Sequence, residues 1–318
     1  MKALPVTAIK TIVEAIEDAG ADVKLFTLRD PDHWELPPFR PGAHIDLYLP
    51  GGLVRTYSLC NDPADQQRYI IAAKRERIGR GGSIALHDTV KAGDTIGVSL
   101  PRGGLRFDDA LSRMIFVAGG IGVTPFLSAA SYLRRVGRID FTLHVVARGA
   151  PPLARLLGSL QESGHVAVHD TAATARPAID ALIGSPALDT ALACCGPAGM
   201  LEDFEQATRA WPSERIHLER FVPPPLVVDP DARPFTLVLA RSRREIPLSL
   251  GESILAALRS IGIDIPASCC GGICGACKVG WLEGTPVHRD RVLSPAEREH
   301  SLMVCVAGSA ADRLVLDI

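Results

Sequence analysis

Three cysteines spaced C-x4-C-x2-C, Cys269, Cys274 and Cys277, lie in the run CCGGICGAC, and Cys305 follows far downstream. That is the plant-type spacing that ligates a [2Fe–2S] cluster. Two tetrahedral irons bridged by sulfides require four thiolates, and one loop can supply three of them only if its backbone is pliable. Gly271, Gly272 and Gly275 give that pliability and let backbone N–H groups approach the sulfurs. Either Cys269 or Cys270 is placed to bind, but only Cys269 gives the x4 spacing, so Cys270 reads as a non-ligand. A zinc site would show two separated C-x2-C pairs, and only Cys274 and Cys277 form one. A disulfide framework suits a short secreted domain rather than 318 residues with no apolar export segment at the start.

Length predicts two or three domains. A formal charge of −2 offers no global basic field for nucleic acid, and no apolar run approaches membrane-spanning length. Eight cysteines without an export signal fit a reducing, cytoplasmic compartment. The clearest seam is VPPPLVVDPDARP at 222–234, which holds five of the 24 prolines and reads as a semi-rigid linker.

Up to about residue 110, short apolar runs (His44–Leu49, Tyr69–Ala73, Thr95–Leu100) between Gly/Pro/Asp turns predict a small antiparallel barrel. Residues 8–19 can be read as strand or helix. From Arg113 onward, strands alternate with helical stretches: Arg113–Ala118, Pro125–Arg135, Phe141–Ala147, Val166–His169 and Thr190–Cys195. This alternation predicts a parallel α/β sheet with ligands at its carboxyl edge. After the seam, a hairpin (Phe235–Ala240, Arg244–Leu248), a helix (Ser253–Ile261) and a closing strand (Arg313–Ile318) predict a compact α+β unit.

Several motifs carry chemistry. In RTYSLCN at 55–61, Arg55 suits a phosphate, Tyr57 offers a face and a hydroxyl beside a flat ring, and Ser58 adds a small donor. GRGGS at 79–83 precedes a short helix, where Gly81, Gly82 and Ser83 can turn N–H groups to an anion. The bland alternatives are a core tyrosine and a surface turn. GGIGVTP at 119–125 follows a strand and opens a helix, the right place for a dinucleotide, although Pro125 breaks the G-x-G-x-x-G spacing. CCGPAGM at 194–200 places Cys195 at a strand's carboxyl end, with Cys194 reading as core. Asp170 in VAVHD is placed to bond an adenosine ribose and repel a 2′-phosphate; an exposed, solvated aspartate is the alternative. The basic run Arg241–Arg244 reads as a solvated hairpin turn.

RTYSLCN, GRGGS, GGIGVTP, CCGP, HLERF at 217–221, the cysteine loop and HRD at 288–290 occur in one order. Together they resemble the phthalate dioxygenase reductase family, which includes vanillate demethylase reductases, over essentially the whole chain. The resemblance implies an antiparallel β-barrel FMN domain at 1–110, a parallel-sheet α/β NAD domain at 111–226 and a β-grasp plant-type ferredoxin at 227–318. It implies Arg55, Thr56, Tyr57 and Ser58 along the flavin, with Ala73, Lys74, Gly81, Gly82 and Ser83 at its ring edge and phosphate. Gly119, Gly120, Gly122, Thr124, Pro125, Gly196 and Pro197 fall on the nucleotide side. Thr124 and Phe221 would reach the flavin, Phe221 stacking on it until nicotinamide displaces it, and Cys195 would approach the nicotinamide. Cys269, Cys274, Cys277 and Cys305 would hold the cluster. The implied role is the NADH-dependent reductase of a Rieske-type non-haem iron oxygenase. Alternatives are a donor for a P450 or another acceptor, and a ferredoxin-like carrier or redox sensor with vestigial nucleotide motifs.

Overall fold

A computed structural model describes residues 8–50, 53–78, 81–137, 139–222, 233–267 and 269–318. They form two compact units, Met1–Phe221 and Val222–Ile318. Residues 223–232, most of the expected linker, lie outside the described residues.

The first unit opens with an antiparallel sheet: β1 (Ala8–Asp18), β2 (Val23–Arg29), β3 (Ala43–Leu49), β4 (Leu53–Ser58), β5 (Tyr69–Lys74), helix α1 (Gly82–Asp88), β6 (Thr95–Ser99) and the short β7 (Arg102–Gly103). The strand order is β4-β3-β6-β1-β2-β5, with β7 beside β3. A bridge between Leu59 and Ile71 joins the far edges, so the sheet curls into a nearly closed barrel. Phe26, Leu28, Ile45, Leu47, Tyr69 and Ile71 pack in its core. Residues 8–18 are strand, not helix. A register shift between Val13 and Ala15 places a bulge in β1, which breaks the alternation that would have marked it as a strand.

The parallel sheet follows: β8 (Arg113–Gly119), α2 (Thr124–Val136), β9 (Asp140–Ala147), α3 (Ala154–Glu162), β10 (Val166–Asp170), α4 (Ile179–Ile183), β11 (Thr190–Cys195), α5 (Ala198–Ala207) and β12 (Ile216–Glu219). Its order is β10-β9-β8-β11-β12, every pair parallel. Both faces are covered, which is why β8 and β11 read as unbroken apolar runs. Phe116, Ala193 and Cys195 join the core with residues of α2 and α3, while Ile115, Val117 and Cys194 join the core with residues of α4 and α5. Val23, Leu25, Cys60 and Ala72 of the barrel belong to the same core cluster as Phe126 and Leu133 of α2. That shared core makes barrel and sheet one unit.

The second unit contains β13 (Phe235–Leu239), β14 (Arg244–Leu248), α6 (Ile254–Ser260), β15 (Lys278–Glu283), β16 (Pro286–Val287), α7 (Pro295–Arg298), β17 (Ser301–Met303), β18 (Gly308–Ser309) and β19 (Arg313–Leu316). Its main order is β14-β13-β19-β15-β17, with first and last strands parallel at the centre. This is the β-grasp arrangement. Ser253 caps α6 by accepting the Ala256 N–H at 3.1 Å, as Ser before an apolar run predicts.

Phe116 is fully buried, with ring centroids 4.9 Å from Phe126 and 6.3 Å from Phe141. Phe116→Ala should lower the stability of the first unit by about 3–5 kcal/mol in urea unfolding; a change well under 1 kcal/mol would refute this packing.

Candidate functional site

Strand order places the candidate site. From β8 the chain winds outward through β9 and β10, then returns to the other side of β8 for β11 and β12. The reversal leaves a crevice at the carboxyl ends of β8 and β11, where open α/β sheets receive ligands. GGIGVTP follows β8 and CCGP ends β11, so both motifs meet there. Their contact is tight. A Cβ on Gly122 would lie 2.2 Å from the Cys195 carbonyl oxygen, and one on Gly119 would lie 2.6 Å from Pro197 Cδ. A Cβ on Gly196 would lie 2.7 Å from Met200 Sδ. The expected direct passage into a helix is interrupted by one 3-10 turn, Gly120–Val123, after which Thr124 and Pro125 start α2. Gly120 has φ +52°, and Thr124 is buried with its hydroxyl donating to the Ile121 carbonyl at 3.1 Å.

Cys195 is fully buried at the end of β11, paired in register with Glu219 of β12. Burial raises its thiol well above the ordinary range, and the Glu219 and Cys194 charges push the same way. It is therefore a neutral thiol at physiological pH. Glu219 accepts a hydrogen bond from Ser58 Oγ at 3.3 Å, which ties the barrel motif RTYS to the parallel sheet. Burial pushes the Glu219 carboxyl up to about 7 against the opposing Ser58 bond. Phe221, two residues later, is 40% exposed.

On the barrel, Arg55 lies across Gly82, where a Cβ would fall 2.2 Å from Arg55 Cγ. The glycine motif thus lets the arginine of the first motif pass. Gly81 takes φ +78° immediately before α1. Ser83 Oγ accepts the Glu76 N–H at 3.0 Å, and Glu76 pairs with Lys74 at 2.9 Å. Thr56 donates to buried Asp46 at 2.7 Å, and Arg102 pairs with the other Asp46 oxygen at 2.5 Å. Tyr57 is raised to about 12 by burial. Ala73 is buried, and its carbonyl lies 2.8 Å from His87 Nε2. Asp170 ends β10; its Oδ1 accepts N–H groups of Gly149 at 2.7 Å and Ala172 at 2.8 Å, which lower its pKa. Arg176 pairs with Asp203 rather than with Asp170 among the described contacts.

In the second unit Cys269, Cys274, Cys277 and Cys305 are buried, whereas Cys270 is exposed at φ +53°. Among the described residues no three Cys, His, Asp or Glu side chains close on one ion position. The thiols converge instead as two pairs, Cys269 with Cys274 and Cys277 with Cys305. Two pairs fit two irons. The Cys274 thiol and the backbone N–H groups of Gly271, Ile273 and Cys274 hold the Cys269 sulfur well below the usual thiol range. Cys274 and Cys305 are raised, each first by the bond to its partner thiol. Thiols in two pairs within a nest of N–H donors suit an anionic cluster.

Residues 237–308 match the 2Fe-2S iron-sulfur cluster binding domain model. The chain is 41% identical over 313 residues to phenoxybenzoate dioxygenase subunit beta of Ectopseudomonas oleovorans, covering 96% of each. The solved structure of phthalate dioxygenase reductase, described as modular for electron transfer from pyridine nucleotides to [2Fe-2S], is 35% identical with TM-score 0.73, over 98% of both chains. The chain belongs to the phthalate dioxygenase reductase family. An intact type IV self-sufficient cytochrome P450 monooxygenase is also similar: 34% identical, TM-score 0.86, over 98% of this chain and 41% of that one.

Membership makes this chain an oxidoreductase of a flavin- and pyridine-nucleotide-binding reductase family with a 2Fe-2S ferredoxin unit, whose relatives are named as reductase components of dioxygenase systems. Among the described residues no helix is long and apolar enough to cross a membrane. Sequence reasoning missed Glu219, Asp46 and Arg102. Glu219 carried a usable signal: an acidic residue ending the run Ile216–Glu219 of a buried parallel sheet. Asp46 sits inside the apolar strand HIDLYL and needed a partner, but Arg102 lies too far along the chain to be paired with it by eye.

The folded protein keeps the Glu219 proton up to about pH 7, whereas a free glutamate releases it near 4.5. The folded state thus binds more protons between those values, and stability present at low pH falls as pH rises through about 7. Discounted for the residue's partial exposure, the loss is about 2–3 kcal/mol. Glu219→Gln should flatten this slope in unfolding titrations from pH 4.5 to 8; an unchanged slope would exclude Glu219 as its source.

Proposed function

We propose that the chain is the NADH-dependent reductase of a two-component Rieske-type aromatic ring dioxygenase or O-demethylase, passing electrons from NADH through FMN and [2Fe–2S] to the oxygenase. The observation that carries the nucleotide half is the meeting of GGIGVTP and CCGP at the switch point, with Ser58 of the barrel bonded to Glu219 beside them. The thiol pairs carry the other half. The flavin supplies the conversion of a two-electron hydride donor into single electrons; the chain's residues supply binding and alignment.

Gly119, Gly120, Gly122, Gly196 and Pro197 bring two turns into close contact with no side chain at the glycine positions, which leaves their backbone open to a nucleotide's phosphates. Thr124 and Pro125 begin the helix behind them. Arg55, held across Gly82, and the N–H groups at Gly81, Gly82 and Ser83 form the phosphate end of the flavin site. Thr56, Tyr57, Ser58, Ala73 and Lys74 line its ring. Tyr57 stays a neutral phenol at any working pH, so it offers a hydrogen bond and not a charge. Phe221 covers the ring until the nicotinamide arrives, and Cys195 packs the nicotinamide side as a neutral thiol. Asp170, held at the end of β10 by the N–H groups of Ala172, Gly149 and Ala173, is placed to accept a ribose hydroxyl, which favours NADH over NADPH. No general acid–base step is needed for hydride transfer. Cys269, Cys274, Cys277 and Cys305 hold the cluster. The other four cysteines, Cys60, Cys194, Cys195 and Cys270, form no disulfide, which fits a reducing, cytoplasmic setting.

The likeness to a self-sufficient P450 favours one second reading, an electron donor to a P450. Rescue of turnover in a purified Rieske oxygenase, against a purified P450, separates the two.

Anaerobic titration with NADH tests the core reading. One flavin and one cluster take three electrons, so both chromophores should bleach by about 1.5 equivalents. Cys274→Ser should abolish the cluster signal and leave flavin reduction intact. Bleaching only with a chemical reductant would overturn the NADH–flavin assignment.

A further inference from the structure

HRD at 288–290 stands apart from both cofactor-facing motifs, yet its surroundings are the most constrained of the second unit. Asp290 is buried, its side chain 1% exposed. Its Oδ2 accepts the Leu293 N–H at 2.9 Å and the Val292 N–H at 3.4 Å, closing a turn on itself. Arg298 Nη2 donates to the Asp290 carbonyl at 2.7 Å and lies 3.4 Å from Oδ2. His288 Nδ1 lies 3.6 Å from Oδ1. Three donors thus hold Oδ2, while Oδ1 has no hydrogen-bond partner among the described residues; the Oδ2 bonds fix the carboxylate on its turn.

That turn rests against the cluster loop. The Arg291 N–H donates to the Gly272 carbonyl at 2.9 Å. Gly272 has φ +71°, and a Cβ there would lie 2.9 Å from Asp290 Cα and 2.8 Å from Val306 Cγ2. On its other side the Gly272 N–H is directed at the Cys305 sulfur. Arg289 closes the frame: its Nη1 donates to the Val306 carbonyl at 3.3 Å and occupies the space a Gly308 side chain would need. The segment after Cys305 and the loop carrying Cys269 and Cys274 are therefore both pinned to HRD.

We propose that Asp290, locked by Arg298, is a positioning residue that holds Gly272 so that its N–H bonds the Cys305 sulfur and raises the cluster's reduction potential. The physical basis is that N–H donors stabilise the added negative charge of a reduced cluster, and hydrogen bonds to the sulfurs are one of the levers that set cluster potential. The inference rests on the proposed cluster function of the four cysteines.

The test uses the full-length holoprotein with 15N-labelled glycine and pulsed EPR of the chemically reduced cluster. Wild type should show two coupled glycine nitrogens: Gly271, whose N–H lies 3.4 Å from Cys269 Sγ, and Gly272. The double variant Asp290→Ala/Arg298→Met removes one negative and one positive charge together, so any change of potential comes from the lost brace. It should keep two irons per chain and NADH reduction of the flavin, lose one glycine coupling, and show a lowered midpoint potential. Both couplings and an unshifted potential in that variant would overturn the proposal. If the double variant fails to retain iron, the single variant Arg298→Met decides: loss of one glycine coupling supports the brace, and two retained couplings overturn it. Absence of iron from wild-type protein would instead sink the cluster reading itself, which keeps the two failures apart.

Discussion

The Cys195 carbonyl oxygen occupies the place where any side chain at position 122 would begin. Much of the first unit follows from that contact. Two turns can share the switch point only because Gly119, Gly122 and Gly196 bring no side chains into it. The parallel sheet must then keep β8 and β11 adjacent, which requires apolar residues on both of their faces. Cys194 and Cys195 show the consequence. Consecutive residues of one strand, they belong to different cores, each fully buried.

Next to this crevice stands an acid whose carboxyl burial raises to about 7, so that it is about half protonated at neutral pH. Glu219 reaches Ser58, so a hydrogen bond adds to the shared core by joining a motif of the barrel to a motif of the sheet. With Cys195 neutral and Glu219 largely neutral below pH 7, the site presents little fixed negative charge. An anionic dinucleotide and a flavin that takes up charge are both favoured by that restraint.

How legible this was in the sequence depends on what each residue had to announce. Covalent ligands announce themselves: C-x4-C-x2-C is a spacing constraint, and the structure gathers those three cysteines and Cys305 into two thiol pairs. Continuous apolar strands and glycine-bearing turns were equally readable, because Arg113–Gly119 and Thr190–Cys195 have no alternative but a doubly covered sheet. β1 was harder, since its bulge at Glu14 shifts the face of every later residue and the remaining pattern imitates a helix. Asp46 and Asp290 were not legible as site residues, and Glu219 only as an acidic end to a buried strand. Each is tied to a partner 56, 8 or 161 positions away, namely Arg102, Arg298 and Ser58. Local pattern carries no information about such pairings until the sheet order brings them together.

Asp290 also shows how a ferredoxin unit can be adjusted without touching its ligands. In the proposed cluster the four thiols are fixed by the chemistry of iron, and exchanging one would abolish the site. The backbone donors aimed at them are free to vary in direction, because each is held by residues outside the loop. Gly272 cannot choose its own orientation: its positive φ is one that glycine alone adopts readily, and Asp290 and Val306 leave it no room. In the proposed brace, potential is adjusted by a carboxylate and a guanidinium outside the four thiols. A partner demanding electrons at a different potential could be matched by altering that pair while the cluster's assembly is left intact.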